Sequence, residues 1–165
     1  LLTLNAAAFE SSRPQRRNVA LQTFFENVAH RRELHAQARH VALRIQSTVD
    51  TVAVDDEKLA VVIDNLLSNA IDFSPDGGVV TLDAQLDDGV LRIDVVDQGP
   101  GVAAEDAECI FEPFVQGRRK APVVRQGSGV GLSIVRELVR VLGGEVRLQP
   151  GTAGAHFRVE IPNVA

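Results

Sequence analysis

The sequence of residues 55–75 is DDEKLAVVIDNLLSNAIDFSP. The three acids at its start suit the positive end of a helix dipole, and Pro75 disfavours a helical conformation for the residue before it. At about 100° per residue, the apolar side chains between these ends share one stripe, formed by Leu59, Ile63, Leu66, Leu67 and Ala70. The stretch therefore predicts an amphipathic helix over 56–73 that packs on a core.

Polar side chains line one flank of this predicted helix. Asn65, Asn69 and Asp72 fall together beside the apolar stripe when the sequence is projected around a helix. Asparagine is a mediocre helix former, so two asparagines four residues apart suggest a use for their side-chain carbonyls, such as coordinating a hard cation. Solvated or capping amides explain the same pattern and are the commoner case for this helix alone, and both interpretations stay open at this point.

Strands are predicted on both sides of the helix. Downstream, Asp87-Asp88-Gly89 is a strong hairpin signal between two apolar runs, Val79–Leu86 and Val90–Val96. Upstream, a helical period covers Val19–Ala38, and apolar alternations follow at 41–45 and at Thr51–Val54. The other predicted elements are a short helix at Ala103–Ile110, a helix at Val130–Leu142 that Gly143-Gly144 ends, and a strand pair at Val146–Leu148 and His156–Ile161.

This order of elements predicts an α+β protein, because helices on one side and antiparallel hairpin strands on the other favour a two-layer sandwich. The 165 residues, with 45% hydrophobic and 24% charged, suit one folded domain. No apolar run approaches the ~20 residues that a membrane span needs. The sequence contains no methionine, so we expect it to be a piece of a longer protein.

Charge and cysteine content argue against other classes of protein. The net charge is −5 and the basic residues form no long stripe, so binding to nucleic acid has little electrostatic support. Cys109 is the only cysteine, which excludes an internal disulfide and a cysteine-based metal site. A reducing cytoplasm is the compartment that this composition favours.

Two glycine-rich segments are candidates for ligand binding. The segment 97–101, Asp-Gln-Gly-Pro-Gly, follows an apolar strand, where the backbone can turn beside a ligand and a carboxylate can accept from an exocyclic amine. The segment 127–132, Gly-Ser-Gly-Val-Gly-Leu, opens a predicted helix, whose free N–H groups suit a phosphate. A P-loop is excluded because neither Lys58 nor Lys120 follows a glycine. A dinucleotide fingerprint is excluded because a polar stretch, and not a strand, precedes the second segment.

Four segments in order resemble the sequence boxes of sensor histidine kinases, within the wider group of GHKL ATPases that includes gyrase, Hsp90 and MutL. These segments are residues 65–75, 97–101, 110–114 and 127–132. The resemblance covers about residues 18–162. It implies the two-layer α/β sandwich of the GHKL (Bergerat) type, with a mixed, largely antiparallel sheet covered by helices on one face, and it implies ATP and Mg²⁺ as ligands.

The resemblance also implies roles for individual residues. Asn69 corresponds to the magnesium-binding asparagine, and Asn65 stands where ATP-hydrolysing relatives have a catalytic glutamate. Asp97 corresponds to the carboxylate that binds the adenine amino group. Gly99 and Gly101 would shape the adenine pocket.

The other two boxes imply a lid and a phosphate site. Phe111 and Phe114 resemble the aromatic pair that anchors an ATP lid, here residues 115–126, and Arg125 could reach a phosphate. The phosphate-facing segment would consist of Gly127, Ser128, Gly129, Val130, Gly131 and Leu132. Asp72 departs from the pattern, since many members of the family have lysine or arginine there. An acid could support Mg²⁺ through water, and we assign it no phosphate-binding role.

The same resemblance implies a domain organisation. Residues 1–12 would be the tail of the dimerisation helix, 13–18 a linker and 19–165 the ATP-binding catalytic domain. None of the four histidines lies in a phosphoacceptor motif, so solvated or core-edge roles are expected for His30, His35, His40 and His156. The phosphoacceptor would lie upstream.

The partners implied are this dimerisation domain and the receiver domain of a response regulator. The domain would be cytoplasmic and monomeric as a fragment, and its parent a homodimeric sensor of the inner membrane. Two alternatives are a regulatory module that binds ATP without kinase activity and an anti-sigma-type serine kinase. The helix tail at the start favours the sensor kinase, because the anti-sigma type folds as a stand-alone chain.

Overall fold

A computed structural model describes residues 13–103, 105–107, 109–112, 131–150 and 154–164. Four helices occur in these ranges: α1 (Leu21–Arg31), α2 (Glu33–Ala38), α3 (Asp56–Phe73) and α4 (Gly131–Val141). The strands are β1 (Arg17–Ala20), β2 (Ala42–Ser47), β3 (Thr51–Val54), β4 (Val79–Asp87), β5 (Val90–Val96), β6 (Glu145–Leu148) and β7 (His156–Ile161). No helix in the described ranges has both the length and the hydropathy of a membrane span.

The main sheet has five strands in the order β2-β4-β5-β7-β6. Strands β2 and β4 are parallel, whereas β4, β5, β7 and β6 pair antiparallel along the sheet. A separate antiparallel pair joins β1 to β3, with Arg17 opposite Val54. The predicted mixed, largely antiparallel sheet is thus confirmed.

The core lies between the helices and one face of the sheet. Alternate residues of the central strands are buried on that face, namely Val80, Leu82, Ala84, Leu91, Ile93, Val95, Phe157, Val159 and Ile161. The helices contribute the predicted stripe of α3 and four residues of α4, which are Leu132, Val135, Leu138 and Val139. The intervening strand residues, such as Asp94 and Arg158, lie on the opposite, polar face, as the two-residue period of a strand requires.

Helix α3 has the bounds that the sequence predicts. Asp55 precedes it as the N-cap, and its side chain accepts a hydrogen bond from the Lys58 N–H at 3.2 Å. Ser74 follows it with φ −70° and ψ 144°, the extended conformation that a residue before proline prefers. The acidic start at Asp55 and the stop before Pro75 therefore lie at the observed ends of α3.

Turn predictions are also confirmed. Asp88 and Gly89 have φ values of 51° and 77°, so the hairpin between β4 and β5 closes with positive φ at both central residues. Gly143 ends α4 with φ 85°, and the Gly144 N–H donates to the Val139 carbonyl at 2.9 Å.

The N-terminal prediction is partly wrong. The expected helix over Val19–Ala38 is two helices, α1 and α2, which are separated at Arg32. Its first residues belong instead to β1, which also contains Arg17 and Asn18 of the predicted linker. Arg32 breaks the helical run while its guanidinium makes two 2.7 Å hydrogen bonds with the Asp64 carboxylate on α3.

The prediction of a short helix at Ala103–Ile110 is wrong for the residues described there. They form successive turns, in which the Asp106 N–H donates to the Ala103 carbonyl and the Glu112 N–H donates to the Cys109 carbonyl. The helix predicted from Val130 is confirmed from Gly131 onward, and Val130 itself lies outside the described residues.

Candidate functional site

Asp97 lies at the end of β5 with only 3% of its surface exposed. Its Oδ1 accepts hydrogen bonds from the backbone N–H groups of Gly99 at 2.8 Å and Ala155 at 3.0 Å. Within the described ranges, both hydrogen bonds to this carboxylate go to Oδ1. Oδ2 is therefore available to accept from a further donor, such as an exocyclic amine.

The environment of Asp97 makes its carboxyl harder to ionise than that of an exposed aspartate. Burial raises the pKa of the Asp97 carboxyl, and the hydrogen bonds from the Gly99 and Ala155 N–H groups oppose this shift without cancelling it. A donor placed against Oδ2 would stabilise the ionised form. The carboxylate is thus suited to a ligand that supplies an N–H group.

Gly99 allows close contact between the turn after β5 and the end of α3. A Cβ at position 99 would lie 2.3 Å from the Phe73 carbonyl oxygen, so this position accepts glycine alone without a backbone shift. Gly101 has φ 76°, the left-handed region that glycine favours. Both predicted pocket glycines are therefore required by the local geometry.

Gly154 and Ala155 are site residues that sequence reasoning missed. A Cβ at position 154 would lie 2.1 Å from the Asp97 carbonyl oxygen, and the Ala155 N–H binds the Asp97 carboxylate. These residues stand 57 and 58 positions after Asp97 in the chain, so no local pattern links them. The turn signal of Gly154 alone could have drawn attention to them.

The two predicted asparagines are half-buried on α3, beside its buried stripe. The Asn65 Nδ2 donates to the Val61 carbonyl at 2.8 Å, and its Oδ1 lies 3.1 Å from the position that a Cβ on Gly131 would occupy. The structure thus brings Asn65 against the first residue of α4. Asn69, one turn later, is half-buried, and its amide has no hydrogen-bond partner in the part of the chain that is described.

Of the predicted aromatic pair, Phe111 is described and Phe114 is not. Phe111 is 6% exposed and packs edge-on against Phe157, with ring centroids 5.9 Å apart and an interplanar angle of 83°. The Arg136 guanidinium carbon of α4 lies 6.0 Å from the Phe111 ring centroid. Phe111 thereby links the turns after residue 103 to both β7 and α4.

The glycine-rich segment is described only at its end. Gly131 begins α4, and Leu132 is 3% exposed in the core. The other predicted phosphate and lid residues lie outside the described residues, namely Arg125, Gly127, Ser128, Gly129, Val130 and the range 115–126. The start of α4 nevertheless lies close to the Asn65 side chain of α3, since a Cβ on Gly131 would be 3.1 Å from the Asn65 Oδ1.

Asp72 has a partner that the sequence did not suggest. Its Oδ1 lies 2.8 Å from the His35 Nε2, and its carbonyl accepts from the Arg39 Nη2 at 2.7 Å. His35 and His156 both sit at the core edge beside carboxylates, with His156 bonded to Asp94. His30 and His40 are exposed, with side chains 80% and 76% accessible.

Residues 54–165 match the family model described as histidine kinase-, DNA gyrase B- and HSP90-like ATPase. The chain is 32% identical over 147 residues to the sensor histidine kinase GlrK of Escherichia coli (strain K12). The aligned region covers 88% of this chain and 31% of GlrK. The chain therefore spans about a third of the length of this relative.

Two solved structures share the fold. The mycobacterial sensor histidine kinase MprB superposes with a TM-score of 0.76 at 27% identity, covering 90% of this chain and 97% of that one. Full-length ShkA in complex with AMPPNP superposes with a TM-score of 0.82 at 28% identity, covering 99% of this chain and 34% of that one.

Proposed function

Because the chain belongs to the family of histidine kinase-, DNA gyrase B- and HSP90-like ATPases, we propose that it binds ATP with Mg²⁺ and donates the γ-phosphoryl group to a histidine on a separate dimerisation domain. It would be the catalytic part of a two-component sensor kinase. The observation that carries the proposal is the buried Asp97, whose Oδ2 is left for an amine donor.

Adenine recognition follows from this geometry. The exocyclic amine of adenine would donate to Oδ2 of Asp97 while Gly99 and Ala155 hold Oδ1. Because Gly99 has no side chain, its backbone lies directly against the end of α3 and could form one wall of the adenine pocket. The ShkA structure, which contains AMPPNP, supports a nucleotide as the ligand of this fold.

The metal would lie beside Asn65 and Asn69 on α3. The Asn69 amide has no partner within the described ranges, and the Asn65 Oδ1 faces the start of α4, so both carbonyls could serve a hard cation. Mg²⁺, when bound, would neutralise charge on the phosphate oxygens during transfer. The segment 127–132 would hold the phosphates with backbone N–H groups, Arg125 would contact them, and Phe111 and Phe114 would anchor the lid.

Asn65 also bears on the choice of acceptor. An amide takes up no proton from water at neutral pH, so Asn65 is no general base for hydrolysis. Positioning and charge neutralisation remain as the means of catalysis, which suits transfer to a histidine that is itself a nucleophile.

The parent protein supplies the remaining partners in this proposal. GlrK is named a sensor histidine kinase, and the matched region is 31% of its length. The acceptor domain would precede this chain, with residues 1–12 as the tail of its helix and 13–18 as a linker. The response regulator would then take the phosphate, and the parent would be a homodimer anchored in the inner membrane.

The test combines nucleotide binding with phosphotransfer. The chain, mixed with the parent's dimerisation domain and radiolabelled ATP, should label that domain and not itself. Asp97→Asn should abolish ATP binding by calorimetry, because the new Nδ2 presents a donor to the adenine amine while Oδ1 still accepts from the backbone. Asn69→Ala should abolish the transfer.

Asp94→Asn is the matched control, since Asp94 is a buried carboxylate on the same strand whose Oδ1 bonds His156 and Arg158 on the opposite face of the sheet. It should bind ATP like the wild type. Unchanged affinity in folded Asp97→Asn, or transfer that survives Asn69→Ala, would show that the proposed roles are wrong.

A further inference from the structure

Helix α2 is fastened to α3 by three side chains. At its start the Arg32 guanidinium bonds both oxygens of Asp64, each at 2.7 Å. One turn later His35 Nε2 lies 2.8 Å from Asp72 Oδ1, and beyond the helix Arg39 Nη2 donates to the Asp72 carbonyl. The two carboxylates of α3 that face α2 are thus both engaged.

Asp72 shares the side of α3 that carries the proposed metal ligands. At 100° per residue, its Cα lies about 20° around the helix from Asn65 and about 60° from Asn69, one turn further along. A carboxylate at this position can turn towards α2 or towards the side chain of Asn69. In the structure it is turned towards His35.

The contact between His35 and Asp72 lies at the edge of the core, where the side chains are 27% and 15% exposed. Asp72 is the one hydrogen-bond partner of the His35 ring within the described ranges, since Nδ1 is buried there with no partner. The ring therefore donates from Nε2 to the carboxylate. The Arg32–Asp64 contact already ties the same two helices together, so attachment of α2 does not depend on His35 alone.

We propose that His35 is a positioning residue, which holds the Asp72 carboxylate towards α2 and away from the phosphate end of the nucleotide. The inference rests on the proposed function, because it needs phosphates beside Asn69. Without His35 the carboxylate can turn towards Asn69, where its charge repels the phosphates. The site then loses affinity for ATP while recognition of adenosine by Asp97 is unchanged.

The experiment measures adenosine and Mg²⁺–ATP affinities separately, by NMR titration and calorimetry, on the 165-residue chain. His35→Ala should weaken Mg²⁺–ATP binding by about a hundredfold, the size expected for one unscreened charge roughly 6 Å from a phosphate at a protein surface, where the effective dielectric constant is about 20. Adenosine affinity should stay at the wild-type value. A role in stability alone would lower both affinities together.

Three further variants isolate the carboxylate. His35→Gln should keep wild-type ATP affinity, since its amide N–H can still donate to Asp72. His35→Ala combined with Asp72→Asn should recover the ATP affinity of Asp72→Asn alone, because the repelling charge is gone. Arg32→Ala breaks the Arg32–Asp64 contact between α2 and α3, and should lower the unfolding temperature without changing the ratio of the two affinities.

The outcomes separate the inference from the proposed function. If the wild-type chain binds neither ligand, the proposed function is wrong. If it binds both and His35→Ala lowers both equally, strengthens ATP binding, or is not rescued by Asp72→Asn, the role of His35 is wrong while nucleotide binding stands.

Discussion

Asp55 stabilises the start of α3 in three ways, and replacing it with alanine should be costly. Its Oδ1 accepts from the Lys58 N–H, while its Oδ2 accepts from the Lys58 ammonium at 3.0 Å and from the Gln15 N–H at 2.8 Å. The side chains of Asp55 and Lys58 are only 3% and 5% exposed, respectively. The carboxylate therefore joins the N-terminal segment to the helix that carries Asn65 and Asn69.

The loss in Asp55→Ala can be worked from these contacts. Removing an N-cap costs about 1 kcal/mol. Removing one partner of a buried ion pair costs about 3–5 kcal/mol. Because the terms overlap, we expect about 4 kcal/mol in the free energy of unfolding, which lowers the urea midpoint by about 2 M at an m-value near 2 kcal/mol/M.

Two variants make this test specific. Asp56→Ala removes the carboxylate of an exposed pair with Arg17 and should cost under about 0.5 kcal/mol. Adding Lys58→Met to Asp55→Ala removes the buried ammonium and should restore about half of the lost stability. A loss below about 1 kcal/mol in Asp55→Ala, or no recovery in the double variant, would refute the reasoning.

The same contacts predict the pH dependence of this contribution. Burial alone would raise the pKa of Asp55, but the hydrogen bonds from Gln15 and Lys58 and the charge of Lys58 together lower it. A carboxylate with a lowered pKa contributes stability that is complete above the unfolded pKa of about 3.9 and is lost as the pH falls through the folded value. Asp55→Ala should therefore lose less stability than the wild type on acidification below about pH 4.

Two further predictions concern Asp97. Burial raises the pKa of Asp97, which costs folding stability at neutral pH and favours the protonated form on acidification. ATP affinity measured by calorimetry should therefore fall as the pH drops, beginning above the titration range of an ordinary aspartate. Constant affinity down to pH 4.5, roughly the upper end of that range, would contradict this prediction. Gly154→Ala places a methyl group 2.1 Å from the Asp97 carbonyl oxygen and should weaken ATP binding at least about tenfold, at a cost of about 2 kcal/mol in stability. The control Gly77→Ala, at φ +81° with nothing within 4 Å, should cost about 1 kcal/mol and leave ATP affinity unchanged.

Helix α3 could be predicted from the sequence because all its signals are local. The cap at Asp55 and the stop at Pro75 lie within the helix's own segment, and the apolar stripe between them has a clear period. The same holds for the Asp88-Gly89 hairpin and the Gly143 cap, where one or two residues determine the backbone conformation. Asp97 could be placed beside glycines for the same reason.

Strand β1 could not be predicted, because its partner stands more than 30 residues away. Of its four residues only Val19 is buried, so no alternation marks it, and the helical period of α1 begins directly after it. The break at Arg32 was missed for a related reason, since the Asp64 carboxylate that holds Arg32 is 32 positions further on.

The site residues that were missed are also distant in sequence. The Ala155 N–H reaches Asp97 across 58 positions, and His35 reaches Asp72 across 37. Periodicity and turn chemistry carry no information about such contacts, because the folded sheet and helices bring them together. The family resemblance pointed to Asp97, but the backbone N–H group of Ala155 that binds its carboxylate could be identified only from coordinates.

The two hydrogen bonds to Asp97 Oδ1 affect which substitutions the site can accept in evolution. Both groups that bind Oδ1 are backbone N–H groups, so the side chain at position 155 takes no part in the hydrogen bond. As far as this bond is concerned, position 155 could change to any residue with an N–H, which excludes only proline. Positions 99 and 154 have no such freedom, because a single added carbon would meet backbone atoms. Orthologues should therefore keep glycine at positions 99 and 154, whereas at position 155 this bond requires only an N–H and the size of the side chain is limited by the core, where Ala155 is 7% exposed.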